Sequence, residues 1–432
     1  MTVRRNPCKS TAVNMPATIC VCGVRIASRP DHSKRRQLQT AALSTKATTV
    51  PTRSMRHFPA LDGVRAIAIL LVIPHNLNLI VQPSGTIGYF VVSYLDRGWI
   101  GVQLFFVLSG FLITGILLDT NETAGYLRSF FVRRALRILP VYYALLLFVF
   151  VFLSAANLLP PSLPRSSGTE LSYWLFFANW YGPLHAGQGS MTHLWSLSVE
   201  EQFYLVWPFV VWRRSAAQLR LLCVGIAVLS LCIRFWMLHV GAPTEAIYQF
   251  SISRMDALAL GGAAAATMRM PLIVQQIASR SRAIFASALI VLLVGAALTG
   301  GYAAANPTTM SLGYTLLALD FAAIILLAAC ADTGQASGWI RFLGLPGMRS
   351  IGKYSYSMYL LHVPLHLLVG LRVMKAFGFD RNTPLIVNVA YLLLGTALSY
   401  AAAAATYRLI ERPFLRLKKP LAPSQTGNAL PG

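Results

Sequence analysis

Residues 58–76 read FPALDGVRAIAILLVIPHN, and this stretch decides the fold. From Val64 to Ile73 nothing but Arg65 interrupts the apolar run, and His75 follows directly behind Pro74. A run of this kind predicts a membrane-spanning helix. Ionisable side chains at membrane depth are costly, so they face a protein interior or an aqueous cavity and mark a functional path. Chemistry or transport is therefore the expectation for the whole chain.

Composition extends that reading outward. Hydrophobic residues make up 56% and charged residues 12% of the 432, too apolar a balance for a soluble domain of this size. Ten stretches have the length and character of spans: 59–81, 98–118, 138–159, 194–212, 219–240, 250–268, 283–300, 312–331, 354–373 and 385–406. A further patch, Leu171 to Tyr181, is too short to span and rich in aromatics, which suits an interfacial or re-entrant piece. The expected fold class is an all-α membrane protein, a bundle of ten transmembrane helices without a soluble domain.

The net charge of +23 invites a nucleic-acid reading, but its placement points elsewhere. With the first span running outward, the connections on its starting side and the C-terminal segment hold 18 Lys and Arg, against 4 on the other side. This is the positive-inside pattern, and it predicts that both termini are cytoplasmic. The partner is then the lipid bilayer, with anionic lipid contact as a secondary role, and no nucleic acid. Residues 1–55 are basic, rich in Ser and Thr, and free of long apolar runs. They resemble a transit peptide in composition, yet a flexible basic extension or a gene start misplaced ahead of Met55 accounts for them equally, and the misplaced start is the preferred reading. Residues 56–418 form the membrane domain and 419–432 a short polar tail. The six cysteines show no metal or disulfide spacing.

Several side chains in these spans are suited to chemistry. On a helix, Arg65 and His75 lie roughly 15 Å apart, so one is placed to engage an anion at the cytoplasmic side while the other works deeper. A neutral imidazole suits a general base; a snorkelling Arg65 is the bland alternative. In YLRSFFVRRALRILPVYY, Arg134 and Arg137 share a helical face and form a fork for phosphate oxygens, or serve only as topology determinants. In HLWSLSVEEQFYLVWP, Glu200 and Glu201 are about 100° apart on a helix. Glu200 aligns with Phe203, Tyr204 and Trp207, an acidic and aromatic face suited to a sugar. Its alternative is a buried pair with Arg234 or Arg254. Arg254 and Asp256, in SISRMDALALGG, are acceptor-side candidates that orient Glu200, hold the acceptor or satisfy each other. His362 is a weaker candidate, with His366 one turn away. Ser109, Gly110 and Gly115 make a small-residue face for close helix approach. No phosphate loop, HExxH, paired CxxC or GxSxG elbow is present, and no metal site is expected.

Taken together, LDGVRAIAILLV, GVQLFFVLSGFLIT, RRALRILPVYY, HLWSLSVEEQFYLVWP, RMDALALGG, KYSYSMYLLHVP and YRLIERPF occur in an order that resembles acyltransferase family 3, the integral-membrane O-acyltransferases. The resemblance runs from about Phe58 to Leu417. It implies ten spans in a bacterial inner membrane, an acyl-CoA donor, acetyl-CoA first, on the cytoplasmic side, and transfer to a hydroxyl of a cell-surface or lipid-linked carbohydrate. It also implies a catalytic His75 with Arg65 on the first span, donor handling by Arg134 and Arg137, and an acidic role for Glu200. The chain departs from the family in the shorter spacing between Arg65 and His75, which turns them about 80° away from a shared face, and in Gln103 where an acid is common. Pro74 distorts the helix just before His75 and offers a way to restore the direction. A glycan transporter or flippase is the rival reading, since charges at mid-membrane serve that role too. A scaffold that has lost activity is a third.

Overall fold

The computed structural model describes residues 58–77, 85–123, 125–158, 163, 166–185, 189–332, 342–379 and 383–417. The N-terminal extension before residue 56 and the tail after residue 418 lie outside the described residues. Every regular element among the described residues is helical. In chain order the α-helices are α1 (Pro59–Asn76), α2 (Gly85–Asp96), α3 (Ile100–Thr120), α4 (Tyr126–Leu146), α5 (Ser167–Trp174), α6 (Ala178–Leu184), α7 (Trp195–Val211), α8 (Ala216–His239) and α9 (Thr244–Gln249). There follow α10 (Ser251–Thr267), α11 (Pro271–Ser279), α12 (Ser281–Leu298), α13 (Tyr314–Asp332), α14 (Pro346–Leu365), α15 (Leu371–Ala376), α16 (Leu385–Thr406) and α17 (Arg412–Arg416).

Seven helices among the described residues are long and apolar enough to cross a membrane, or eight if the bent pair Thr244–Thr267 and Pro271–Ser279 counts as one. Two of the ten expected spans fall outside that set, at α1 and α7. Both are short, of 18 and 17 residues, and both bring ionisable groups into the bundle. The stretch 82–97, expected as a loop, instead contains α2 and runs on into α3 as one 33-residue apolar unit, Gly88–Thr120. Its Tyr89, Phe90 and Tyr94 are exposed, as suits aromatic side chains at a membrane interface. The aromatic patch 171–181 is two short helices, α5 and α6, broken where Phe176 takes a positive φ of 53°.

Local signals explain the element boundaries. Pro59 starts α1 at a position where its missing N–H costs nothing, and Asp62 sits in the first turn, where a carboxylate favours the helix dipole. Ser215 caps α8 by accepting from the Gln218 amide in a reciprocal capping box. Pro74 lies inside α1 without ending it: Leu77 N–H still reaches the Ile73 carbonyl.

Close crossings hold the centre together. A Cβ on Gly110 would sit 1.9 Å from the Leu258 carbonyl oxygen, and one on Gly261 1.9 Å from that of Val107. These glycines let α3 and α10 approach backbone to backbone, the expected use of the small-residue face. α3 runs antiparallel to α1, with Gly101 against Ala68 and Gly98 against Leu71 and His75. α14 runs parallel to α1, with Gly352 against the Asp62 carbonyl. These contacts place the Arg65 end and the His75 end of α1 at opposite ends of the core.

Candidate functional site

One elongate cavity of about 110 Å³ lies between α1, α3, α4, α7 and α14. Its lining on α3 runs from Val102 to Leu112, ten residues or roughly 15 Å of helix. The two ends differ in chemistry. One gathers Arg65, Arg134, Arg137, Glu200, Tyr204 and Ser109; the other is walled by Val102, Phe105, Ser196 and Tyr359.

The charged end is built by helix periodicity. Arg134 and Arg137, three apart on α4, both reach the cavity, as their shared face predicts. Arg65 donates to Asp62 at 3.1 Å, one turn back on α1. Tyr204 donates to a Glu200 carboxylate oxygen at 3.0 Å. Because that bond uses its only proton, the Ser109 hydroxyl must donate to the Tyr204 oxygen in their own short contact. The Arg134 guanidinium lies 4.9 Å over the Tyr204 ring. Three guanidinium groups therefore gather here with the carboxylates of Glu200 and, on Arg65, Asp62, an arrangement able to hold an anionic ligand by charge-assisted hydrogen bonds.

The structure separates the remaining candidates from this cavity. His75 lies at the far end of α1, where its Nδ1–H donates to the Leu95 carbonyl at 3.1 Å. This fixes the neutral ring with Nε2 as the basic nitrogen. Gly98, which packs on the His75 Cβ, precedes the cavity residue Val102 by one turn. Asp256 does not pair with Arg254: it forms a fully buried ion pair with Arg234 at 2.8 Å and accepts from Thr315 at 2.7 Å. Arg254 donates to Gln103 at 2.6 Å, and its guanidinium lies 4.1 Å from the Tyr314 ring centre and 5.1 Å from that of Tyr248. Neither residue touches Glu200, which faces Arg65 and Arg134 instead. The expectation that Arg254 and Asp256 orient Glu200 or satisfy each other is thus corrected, because Glu200 lies beside Arg134 and Arg65 while Asp256 and Arg254 bond Arg234 and Gln103.

Of the aromatic face expected beside Glu200, Tyr204 is there, and the other two residues are corrected. Phe203 and Trp207 stack on each other at 4.7 Å, and Trp207 donates to Thr114 at 2.8 Å. Both are buried core, not a sugar platform. Three residues that sequence reasoning passed over matter here. Ser109 was assigned to packing, yet it lines the cavity. Tyr359 walls the apolar end and donates to the His193 carbonyl at 2.7 Å, while the Ser196 hydroxyl donates to Tyr359 at 2.6 Å. His193, just ahead of the WSL stretch, sits 5.1 Å ring to ring from His362. The signal for them was register: with Gly352 beside Asp62, Tyr359 and His362 fall alongside the middle and far half of α1.

A helical membrane protein that gathers three arginines and a carboxylate at one end of a buried cavity is the class that fold and site define. The chain belongs to the acyltransferase family whose domain matches residues 58–404. It is 27% identical over 383 residues to the peptidoglycan O-acetyltransferase OatA of Listeria monocytogenes, covering 83% of this chain and 56% of that protein. It is 29% identical over 387 residues to a putative peptidoglycan O-acetyltransferase, YrhL, of Bacillus subtilis, covering 84% and 55%. A putative O-acetyltransferase of Staphylococcus aureus strain COL is 27% identical over 389 residues, with 84% and 58% covered. The chain thus spans a little over half the length of these relatives. No solved structure matches it significantly.

Proposed function

We propose that the protein is a membrane O-acyltransferase that moves an acetyl group from acetyl-CoA to a hydroxyl of a cell-surface carbohydrate. The observation that carries this reading is the two-ended cavity: Arg65, Arg134 and Arg137 converge at one end, and the other stops one helical turn short of the Gly98 contact with His75. The arginines bind donor phosphates, and the extended pantetheine arm carries the thioester toward His75. There the Nε2 takes the proton of the acceptor hydroxyl, the oxygen attacks the thioester carbonyl, and the carbon–sulfur bond breaks. The thiolate recovers the proton from His75, leaving an ester and free CoA. The acceptor belongs to the glycan class named for the relatives, peptidoglycan first. Ten spans with both termini in the cytoplasm of a bacterial inner-membrane protein complete the proposal, supported by the charge asymmetry of the connections.

The test is donor binding to full-length protein in lipid nanodiscs. Replacing both Arg134 and Arg137 by Gln is expected to weaken acetyl-CoA binding at least tenfold while the melting profile stays intact. Unchanged affinity would reduce these arginines to topology determinants. Acetyl-CoA that is neither consumed nor transferred to a chitooligosaccharide or peptidoglycan fragment would remove the enzymatic reading.

A further inference from the structure

We propose that Tyr359 is the specificity-determining wall of the cavity, closing its apolar end so that an acyl chain of two carbons fits and longer chains are refused. The inference rests on the donor reading above and names which donors the site takes.

The argument starts from the asymmetry of the cavity. A ligand anchored by its anionic groups at Arg65, Arg134 and Arg137 presents its uncharged end to Val102, Phe105 and Tyr359. Those three side chains offer no charge to that end, which suits an acyl group and not a second anion. The distance the chain can travel is set by where the Tyr359 ring stands. That ring is fixed from several sides. Its hydroxyl is tied to the His193 carbonyl and to Ser196, its edge packs against Phe105 at 6.2 Å, and its backbone carbonyl accepts from His362 Nδ1 at 2.7 Å. The His193 and His362 rings stand 5.6 and 5.7 Å from it. Moving the phenol aside breaks buried hydrogen bonds, so the ring behaves as a fixed stop.

His193 and His362 act on the ligand only through Tyr359 and are positioning residues. The His362 Nε2 has no hydrogen-bond partner among the described residues, and the Leu360 carbonyl lies beside the His193 ring. They do not form a metal centre, since no compact group of three or more such ligands occurs among the described residues.

The experiment compares acetyl-CoA with butyryl-CoA on the full-length protein in nanodiscs, by competition binding and by turnover with a chitooligosaccharide. One or two methylenes refused by a fixed wall are worth about tenfold or more in discrimination. The wild-type protein is expected to favour acetyl-CoA at least tenfold in both assays. Tyr359→Ala should bring the ratio close to one or reverse it, and Tyr359→Phe should give an intermediate ratio, because the ring remains but loses the hydrogen bonds that hold it in place. Val102→Ala enlarges the same end without touching the Tyr359 hydrogen bonds and should shift the ratio in the same direction, which keeps the test valid if Tyr359→Ala fails to fold. A ratio unmoved in folded Tyr359→Ala or Val102→Ala protein, or a wild-type protein indifferent to chain length, overturns the proposal. Loss of all turnover with chain-length discrimination intact in binding would instead count against the catalytic reading alone.

Discussion

His75 and His362 are imidazoles on neighbouring helices, and their hydrogen bonds give them different tasks. Each donates from Nδ1 to a backbone carbonyl, but His75 reaches Leu95 on another helix, whereas His362 bonds Tyr359 on its own. His75 is therefore held between α1 and the turn that carries Gly98, with Nε2 making no hydrogen bond to any described residue. His75→Ala is expected to lower acetyl transfer by about 10²- to 10⁴-fold, the usual cost of losing a general base, at unchanged protein level in membranes. His362→Ala should retain substantial activity. Transfer assays on matched membranes decide it: full activity in His75→Ala would end the mechanism. The sequence already marked Arg65, His75, Arg134, Arg137 and Glu200, because each is an ionisable residue where apolar ones are the rule. It could not show that Glu200 faces Arg65 and not Arg254, since that depends on how far α7 slides along α3. No local pattern records such a slide.

Between elements, the interior of the bundle is pinned by polar groups that lipid cannot satisfy. The Arg234 side chain on α8 meets Asp256 on α10 and also donates to the Ser253 carbonyl at 2.5 Å. Removing one partner of such a pair leaves an uncompensated buried charge and costs about 3–5 kcal/mol. Asp256→Ala is expected to lose that much stability, seen as a lower melting temperature and poorer recovery from membranes. The paired change Arg234→Leu with Asp256→Leu should recover most of it. A single Asp256→Ala variant as stable as the wild type would show that the pair contributes nothing. Element existence was largely readable: the stretches expected at 98–118, 219–240 and 385–406 correspond to α3, α8 and α16. α2 was missed because a twelve-residue apolar helix is too short to register as a span. The pairing of Arg234 with Asp256 was out of reach because Arg254 is the nearer partner in sequence, and only the helix faces decide between them.

At the scale of the whole molecule, charge and hydropathy make separate claims. Hydropathy alone supports seven or eight crossings among the described residues, while the placement of Lys and Arg asks for an even number that leaves both ends on one side. The short helices α1 and α7 turn Arg65, His75 and Glu200 toward neighbouring helices, where ionisable groups cost less than against lipid. Single cysteines at position 430 and in the segment 128–137 are expected to resist impermeant thiol reagents in intact cells and to react after the membrane is opened. Labelling of position 430 from outside would reverse the topology. The end of the cavity at Tyr359 has a further consequence for the cell. If the proposed function holds, a charged donor enters from one face of an energised membrane and a sugar from the other, which exposes the protein to becoming a leak for protons. On that reading the phenol, tied to Ser196 and to the His193 carbonyl, narrows the route that protons would take while leaving room beside it for thioester and acceptor to meet, and the membrane keeps its voltage while the reaction runs.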